Sequence, residues 1–223
     1  MDRIGAKKEI EKTIALRSFY QPVKGFPTSR GRGGEKGIQE FDKRLNYILK
    51  EFPPEGKKFL VMACSEGYNV FSIAERGGKV VGVEKDKRLH DLTKLLQTYH
   101  EVPESDVELV NAYAQDFVAT DKTDFDYILY LMIMHHLITP NPKDLERAFV
   151  ILNYAADRGK KTVLQLRCWR KFPELGMHTQ EDIPKFIIKN TNFTHYKNIE
   201  IEGGTREKPN IIFNLPLWVL WKE

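Results

Sequence analysis

The sequence predicts an α/β fold: a doubly wound, mostly parallel sheet of about seven strands, finished by an antiparallel hairpin, with helices on both faces. Three observations carry this. Residues 58–84, KFLVMACSEGYNVFSIAERGGKVVGVE, read as strand, turn of small residues, helix and strand, which is a βαβ unit. Strand and helix patterns then alternate along most of the chain, as a parallel sheet with crossover helices requires. The tail changes to two strand-like runs around Gly203-Gly204, and strands joined by a short turned segment pair antiparallel.

Taken in order, residues 1–17 read as an amphipathic helix with Ile4, Ile10 and Ile14 on or near one face. Residues 18–37 break pattern, because Pro22, Gly25, Pro27, Gly31, Gly33, Gly34 and Gly37 exclude a regular element. A stretch of that size is a lid, a binding loop or disorder, and this one carries Tyr20, Arg30, Arg32 and Lys36. The expected organisation is therefore an N-terminal helix with a basic Gly/Pro-rich cap or lid over 1–37, and one domain over 38–223. From Ile38, the residues Phe41, Leu45, Ile48, Leu49 and Phe52 recur at helix spacing until Pro53-Pro54 stops them.

Phe59 to Ala63 and residues 79–83 are short apolar runs suited to strands buried on both faces. Between them Val70, Phe71, Ile73 and Ala74 supply a helix face, closed by Gly77-Gly78. A further helix spans 86–99 with Leu89, Leu92, Leu95, Leu96 and Tyr99 inward, and residues 107–111 make a third strand. Residues 126–132 make the fourth strand, followed by the turn MHHLITPNP. A helix over 143–157 packs through Leu145, Ala148, Phe149, Leu152 and Ala156, stops at Gly159 and leads to a fifth strand over 162–167. Thr179 to Asn190 begins with a Thr-x-x-Asp capping box, and the terminal strands run over 193–202 and 209–221.

Composition narrows the function classes. The 223 residues, 41% apolar, suffice for one ordinary domain with a small extension. The charged first seventeen residues predict no signal peptide, and no apolar run is long enough to span a bilayer, so the expectation is a soluble, cytoplasmic protein without membrane partners. Cys64 and Cys168 form neither a disulfide framework nor a metal site, and Cys64 reads as a buried small residue. The net charge is +4, and residues 1–58 hold fourteen Lys and Arg against eight Asp and Glu. A basic front suits RNA or another anionic substrate, although a solvated basic face has the same composition.

Ligands of open α/β sheets bind outside the carboxyl ends of the strands. A carboxylate at the tip of the second strand, Glu84, can accept both hydroxyls of a ribose; alternatively it is a solvated acid opening the next helix.

These residues resemble the class I S-adenosylmethionine-dependent methyltransferases, which have a Rossmann-like fold, over roughly 38–223. FLVMACSEGYN resembles that family's first motif, which wraps the methionine part of the cofactor, and VVGVE the second, ending at Glu84. VELVNAYAQDF resembles the adenine-contacting stretch, FDYILYLMIMHHL the fourth strand with its His turn, and HTQEDIPKFIIKNTNF the late helix before the hairpin. The resemblance implies S-adenosylmethionine as cofactor, held by Ala63, Cys64, Ser65, Glu66, Gly67, Tyr68, Glu84, Tyr113, Ala114 and Leu131.

Departures qualify it. Val61 stands where the family has an acid, Ala63 and Ser65 where it has glycines, and only Gly67 survives. Val61 cannot receive an ammonium. Tyr113 replaces an adenine-contacting Asp, with Asp116 displaced, so adenine stacking on the ring and a plain surface tyrosine are both open. His135 and His136 are candidate bases, the second being often structural in the family, and adjacent histidines with no nearby acid make a poor metal set. The acceptor is expected over 18–37 and the later turns, with Tyr20, Arg30, Arg32, Trp169 and Arg170 as candidate contacts. Methyl transfer to RNA or a small molecule is the function implied; a catalytically lapsed cofactor-binding or scaffold protein is the alternative that the replaced glycines motivate.

Overall fold

Buried Val, Leu and Phe side chains draw three parallel strands together in the first half of the chain: β1 (Lys58–Met62), β2 (Lys79–Glu84) and β3 (Val107–Asn111). The register places Val61 beside Gly82, and Glu84 beside Asn111. The computed structural model describes residues 1–16, 18–19, 21–26, 35–166, 173–199 and 217–223. Tyr20, Arg30, Arg32, Cys168, Trp169 and Arg170 lie outside the described residues, as do positions 200–216 of the expected terminal strands.

Two compact units emerge, Met1–Tyr113 and Ala114–Glu223. In the first, α1 (Arg3–Leu16) packs on α4 (Lys87–Tyr99) through buried Ala6 and Ile10. Ile4 departs from its expected place: it is 68% exposed, because the thin apolar stripe of α1 buries Ala6 instead. Helix α2 (Glu35–Glu51) starts three residues before the expected Ile38 and takes in Gly37, a glycine near a helix start being tolerated where one in mid-loop reads as a breaker. Its Phe41, Leu45, Ile48 and Leu49 are buried as the spacing requires. Part of the stretch expected to lack structure is also held in place, since Val23 and Phe26 form a bridge around Gly25 (φ 78°) and Phe19, Gln21, Val23 and Phe26 are buried.

Helix α3 (Tyr68–Ala74) follows β1 and ends where the glycine pair predicts: Gly77 takes φ 79° and the Gly78 N–H donates to Ile73 O at 3.2 Å. Helix α4 is capped by Asp86, whose Oδ1 accepts from Arg88 N at 2.9 Å. The Arg88 side chain and amide hold the Asp86 carboxyl well below the usual carboxylate range. A folded-state pKa that is depressed gives stability present above the ordinary carboxyl pKa of about 4 and lost as pH falls below it. Asp86→Ala is expected to cost about 1 kcal/mol at neutral pH and to flatten that acid limb, as urea unfolding at neutral and acid pH will read.

The second unit contains α5 (Ala114–Thr120), β4 (Phe125–Leu131), α6 (Pro142–Arg158), β5 (Gly159–Gln165), α7 (Asp182–Asn190), β6 (His195–Ile199) and β7 (Leu217–Trp221). Helix α5 was not expected; at seven residues it is shorter than two turns of readable period, and buried Phe117 and Val118 are its only signal. Gly159 both ends α6 and opens β5, which begins three residues before the expected Thr162. A Cβ there would lie 2.9 Å from Ala155 O and 2.9 Å from Ile128 Cδ1, so only glycine makes so tight a helix-to-strand return. Helix α7 begins at Asp182 rather than Thr179, because the Asp182 carboxylate accepts from the amides of His178 and Thr179 and spends the expected box on a preceding turn. Strands β6 and β7 pair antiparallel, as the tail predicts.

The strand order is β3-β2-β1-β4-β5-β7-β6; β1, β2 and β3 pair parallel in the first unit, β4 and β5 pair parallel in the second, and β7 pairs antiparallel with β5 and with β6. Among the described residues no helix is long and apolar enough to cross a membrane.

Candidate functional site

The turn from β1 into α3 has an unusual backbone. Ala63 (φ 53°), Ser65 (φ 54°) and Gly67 (φ 75°) are all left-handed, so two positions without glycine keep the conformation that glycine favours. A left-handed non-glycine residue costs on the order of 1 kcal/mol, and the surroundings impose it. Ser65 N donates to Glu84 Oε2 at 2.9 Å, Thr93 Oγ1 of α4 donates to Ser65 O at 3.1 Å, and Gly67 N donates to Cys64 O at 2.9 Å. Ala63→Gly should therefore raise stability, relief of strain outweighing the added freedom of the unfolded chain by about 0.5 kcal/mol; denaturant titration measures this.

Glu84 closes β2 and is buried, not the solvated acid that could equally have stood there. Its Oε2 accepts from Ser65 N and its Oε1 from Asp86 N, both at 2.9 Å, while Asn111 Nδ2 donates to Glu84 O at 2.8 Å. A carboxylate has about four acceptor positions, so two amides orient the group and leave capacity for a ligand's hydroxyls. Tyr113 follows two residues beyond Asn111, its side chain 55% exposed with Lys85 Nζ 5.8 Å from the ring centroid. The ring is thus an open flat surface near the same strand ends.

The other side of the turn is tied to distant elements. Glu66, buried, accepts from Ser65 Oγ and, at 3.2 Å, from Gln21 N. Tyr68 OH donates to Asp42 Oδ1 of α2 at 2.6 Å; burial, then that bond, push the phenol pKa up. Lys24 pairs with Glu75 at 2.7 Å and donates to Ser72 Oγ at 3.0 Å, and His100 Nε2 donates to Lys24 O at 3.1 Å. Segment 21–26 is thereby fastened to α3 and to the end of α4. Two buried acceptors in this region, Gln21 Oε1 and Asn69 Oδ1, have no hydrogen-bond partner. An unsatisfied buried carbonyl costs about 1–3 kcal/mol.

Cys64 is buried, and burial, with Glu84 and Glu66 adding to it, pushes its thiol pKa up, so it remains a thiol and not a nucleophile. The remaining sequence-picked residues sit in the second unit. Ala114 opens α5, with Asp116 exposed in its first turn, and Leu131 ends β4, buried. Of the two candidate histidines, His135 is buried and His136 exposed, with ring centroids 4.1 Å apart. In the 3-10 turn Met134–His136 the inward position falls to the first of the pair. Among the described residues no three His, Cys, Asp or Glu side chains gather as a metal set. Sequence reading missed Gln21, Asp42 and Thr93, which hold the turn from far along the chain and have no local spacing signal.

A family model described as a methyltransferase domain matches residues 60–153. A curated relative, the O-antigen chain terminator bifunctional methyltransferase/kinase WbdD of Escherichia coli, is 21% identical over 185 residues, or 80% of this chain. The chain spans 25% of the length of that relative. A solved structure of WbdD superposes with a TM-score of 0.66 at 18% identity, covering 94% of this chain and 47% of that one. Magnesium protoporphyrin IX methyltransferase (ChlM) from Synechocystis, solved with bound SAM, gives a TM-score of 0.61 at 14% identity, covering 95% and 91%. A TehB-like SAM-dependent methyltransferase from Corynebacterium glutamicum gives 0.55 at 18% identity, covering 81% and 88%. The match to a methyltransferase domain thus covers β1 to α6, and the strand order is that of the Rossmann-like fold that these solved methyltransferase structures share.

Proposed function

We propose that the protein binds S-adenosylmethionine at the β1–α3 turn and transfers its methyl group to an anionic acceptor, RNA or a small molecule. The observation that carries the reading is the left-handed turn braced by a buried carboxylate: Ala63, Ser65 and Gly67 keep a glycine-type backbone, and Glu84 fixes it through Ser65 N. The residues fit the cofactor. Glu84 has acceptor capacity for ribose hydroxyls, the small side chains of the turn admit close backbone approach, and the exposed Tyr113 ring offers a stacking face for adenine. When bound, the cofactor supplies a carbon already activated by its sulfonium. The chain's own part is to hold the adenosine and align the acceptor in line with that carbon, which needs no dedicated base when the acceptor has a free lone pair. The basic excess of residues 1–58 favours an anionic acceptor.

Calorimetric titration with S-adenosylmethionine and S-adenosylhomocysteine tests the binding, with micromolar affinity for both expected. Binding to neither sinks the reading. Labelled methyl transfer into separated RNA, protein and small-molecule fractions tests the reaction; binding without transfer into any fraction would favour a lapsed enzyme.

A further inference from the structure

Several of the bonds that fasten segment 21–26 converge on one residue, Lys24. Val23 and Phe26 form a bridge, the Phe26 N–H donating to Val23 O at 3.0 Å, and Gly25 between them takes φ 78°, as a type II turn requires of its third residue. Lys24 thus stands second in a tight turn whose outer residues, Val23 and Phe26, are buried. Its side chain meets one face of α3, where Tyr68, Ser72 and the capping Glu75 recur at i, i+4 and i+7. Lys24 Nζ lies 2.7 Å from Glu75 Oε2, donates to Ser72 Oγ at 3.0 Å and stands 5.4 Å from the centroid of the Tyr68 ring. Its carbonyl accepts from His100 Nε2 at 3.1 Å. The lysine side chain is only 18% exposed, so solvent and salt screen the ion pair only in part.

Two residues of the β1–α3 turn depend on this attachment. Gln21, just upstream of Lys24, donates its N–H to Glu66 Oε2 at 3.2 Å, and Glu66 accepts from Ser65 Oγ within the turn. Tyr68 is gripped twice, its hydroxyl donating to Asp42 Oδ1 at 2.6 Å and its ring lying under Lys24 Nζ. We propose that Lys24 is a positioning residue for the turn: it latches segment 21–26 onto α3, the latched segment steadies residues 65–68, and a ligand bound at the turn tightens the latch in return. The role is exerted through Glu66 and Tyr68, and it rests on the reading that S-adenosylmethionine binds the β1–α3 turn. The return effect is obligatory, because two equilibria that share an element bias each other by the same factor.

Two measurements on the full chain test this: calorimetric titration with S-adenosylhomocysteine, and hydrogen exchange of the segment 21–26 amides, the bonded Gln21 and Phe26 N–H groups among them, with and without that ligand. In the wild type, saturating ligand is expected to slow exchange of these amides about tenfold. Lys24→Met keeps the apolar stem and removes the charge, and is expected to weaken S-adenosylhomocysteine by up to about the same tenfold, since losing the latch cannot cost more affinity than the ligand returns in protection. Lys24→Arg, which can still pair with Glu75, is expected to stay within about twofold of wild type. A lysine with a merely structural role would lower the melting temperature of Lys24→Met and leave affinity and ligand-dependent exchange unchanged. That result overturns the assignment, as does wild-type exchange that does not respond to bound ligand. A wild-type chain that fails to bind S-adenosylhomocysteine overturns the cofactor reading, and the assignment with it. Should Lys24→Met fail to fold, Glu75→Gln removes the charge from the half-exposed end of the pair and is expected to weaken the ligand about threefold; unchanged affinity there also overturns the assignment.

Discussion

Glu84→Ala is expected to weaken S-adenosylmethionine binding by at least about a hundredfold, since two hydrogen bonds to a charged acceptor are each worth about 1.5–3 kcal/mol. The loss has two sources. The ribose loses its acceptor, and Ser65 N, now without its 2.9 Å partner, no longer holds the left-handed turn against the preference of a non-glycine residue. Glu84→Gln separates them: an amide oxygen can still accept from Ser65 N, so the turn survives while the charge on the ribose side is gone, and a loss of about tenfold is expected. Calorimetry on both variants, with unfolding to confirm that each is native, reads the difference. An affinity for Glu84→Ala within about threefold of wild type would refute the ribose assignment.

Gly67→Ala is expected to be strongly destabilising. The added Cβ would stand 2.6 Å from Thr93 Cγ2 and 2.9 Å from Phe71 Cε2, in a residue at φ 75°. Left-handed strain and overpacking together amount to about 3 kcal/mol. Because Thr93 Oγ1 also holds Ser65 O, the clash pushes on the turn itself, and cofactor binding should fall below detection. Thr93→Ser in the same chain removes the nearest methyl and keeps the hydroxyl, so part of the stability should return. Urea unfolding of the single and double variants checks this; no recovery would mean that backbone strain alone sets the cost.

The periodic parts of this fold were legible because burial writes itself into spacing. The apolar runs at 59–63 and 79–83 and the Leu92 and Leu96 stripe of α4 all stand where their patterns place them. Helix α5 was not legible, since seven residues give too little period, and the start of α2 was hidden because Gly37 signals a break equally well in a loop. In the site, Glu84 could be found from its place at a strand end. The left-handed state of Ala63 and Ser65 could not, because their side chains argue against it and the bonds that hold Ser65 come from Glu84 and Thr93, 19 and 28 positions away. Likewise the Asp42–Tyr68 and Gln21–Glu66 bonds join residues 26 and 45 apart, and contact at such distances exists only after folding.

Strand β7 comes after β6 in the chain, yet it lies between β5 and β6 in the sheet. Thr162 to Gln165 of β5 thus find their second neighbour only in residues 217–220, more than fifty positions later. Until those residues arrive, Val163 and Leu164 present a bare apolar edge, the kind of edge that templates pairing with other chains. Closure of this sheet is non-local, with the entropy of a long loop set against it, and is expected late in folding. The refolding rate of the second unit should accordingly respond to substitutions in β7 less than its unfolding rate does, and the hazard of aggregation is concentrated in the interval before β7 slots in.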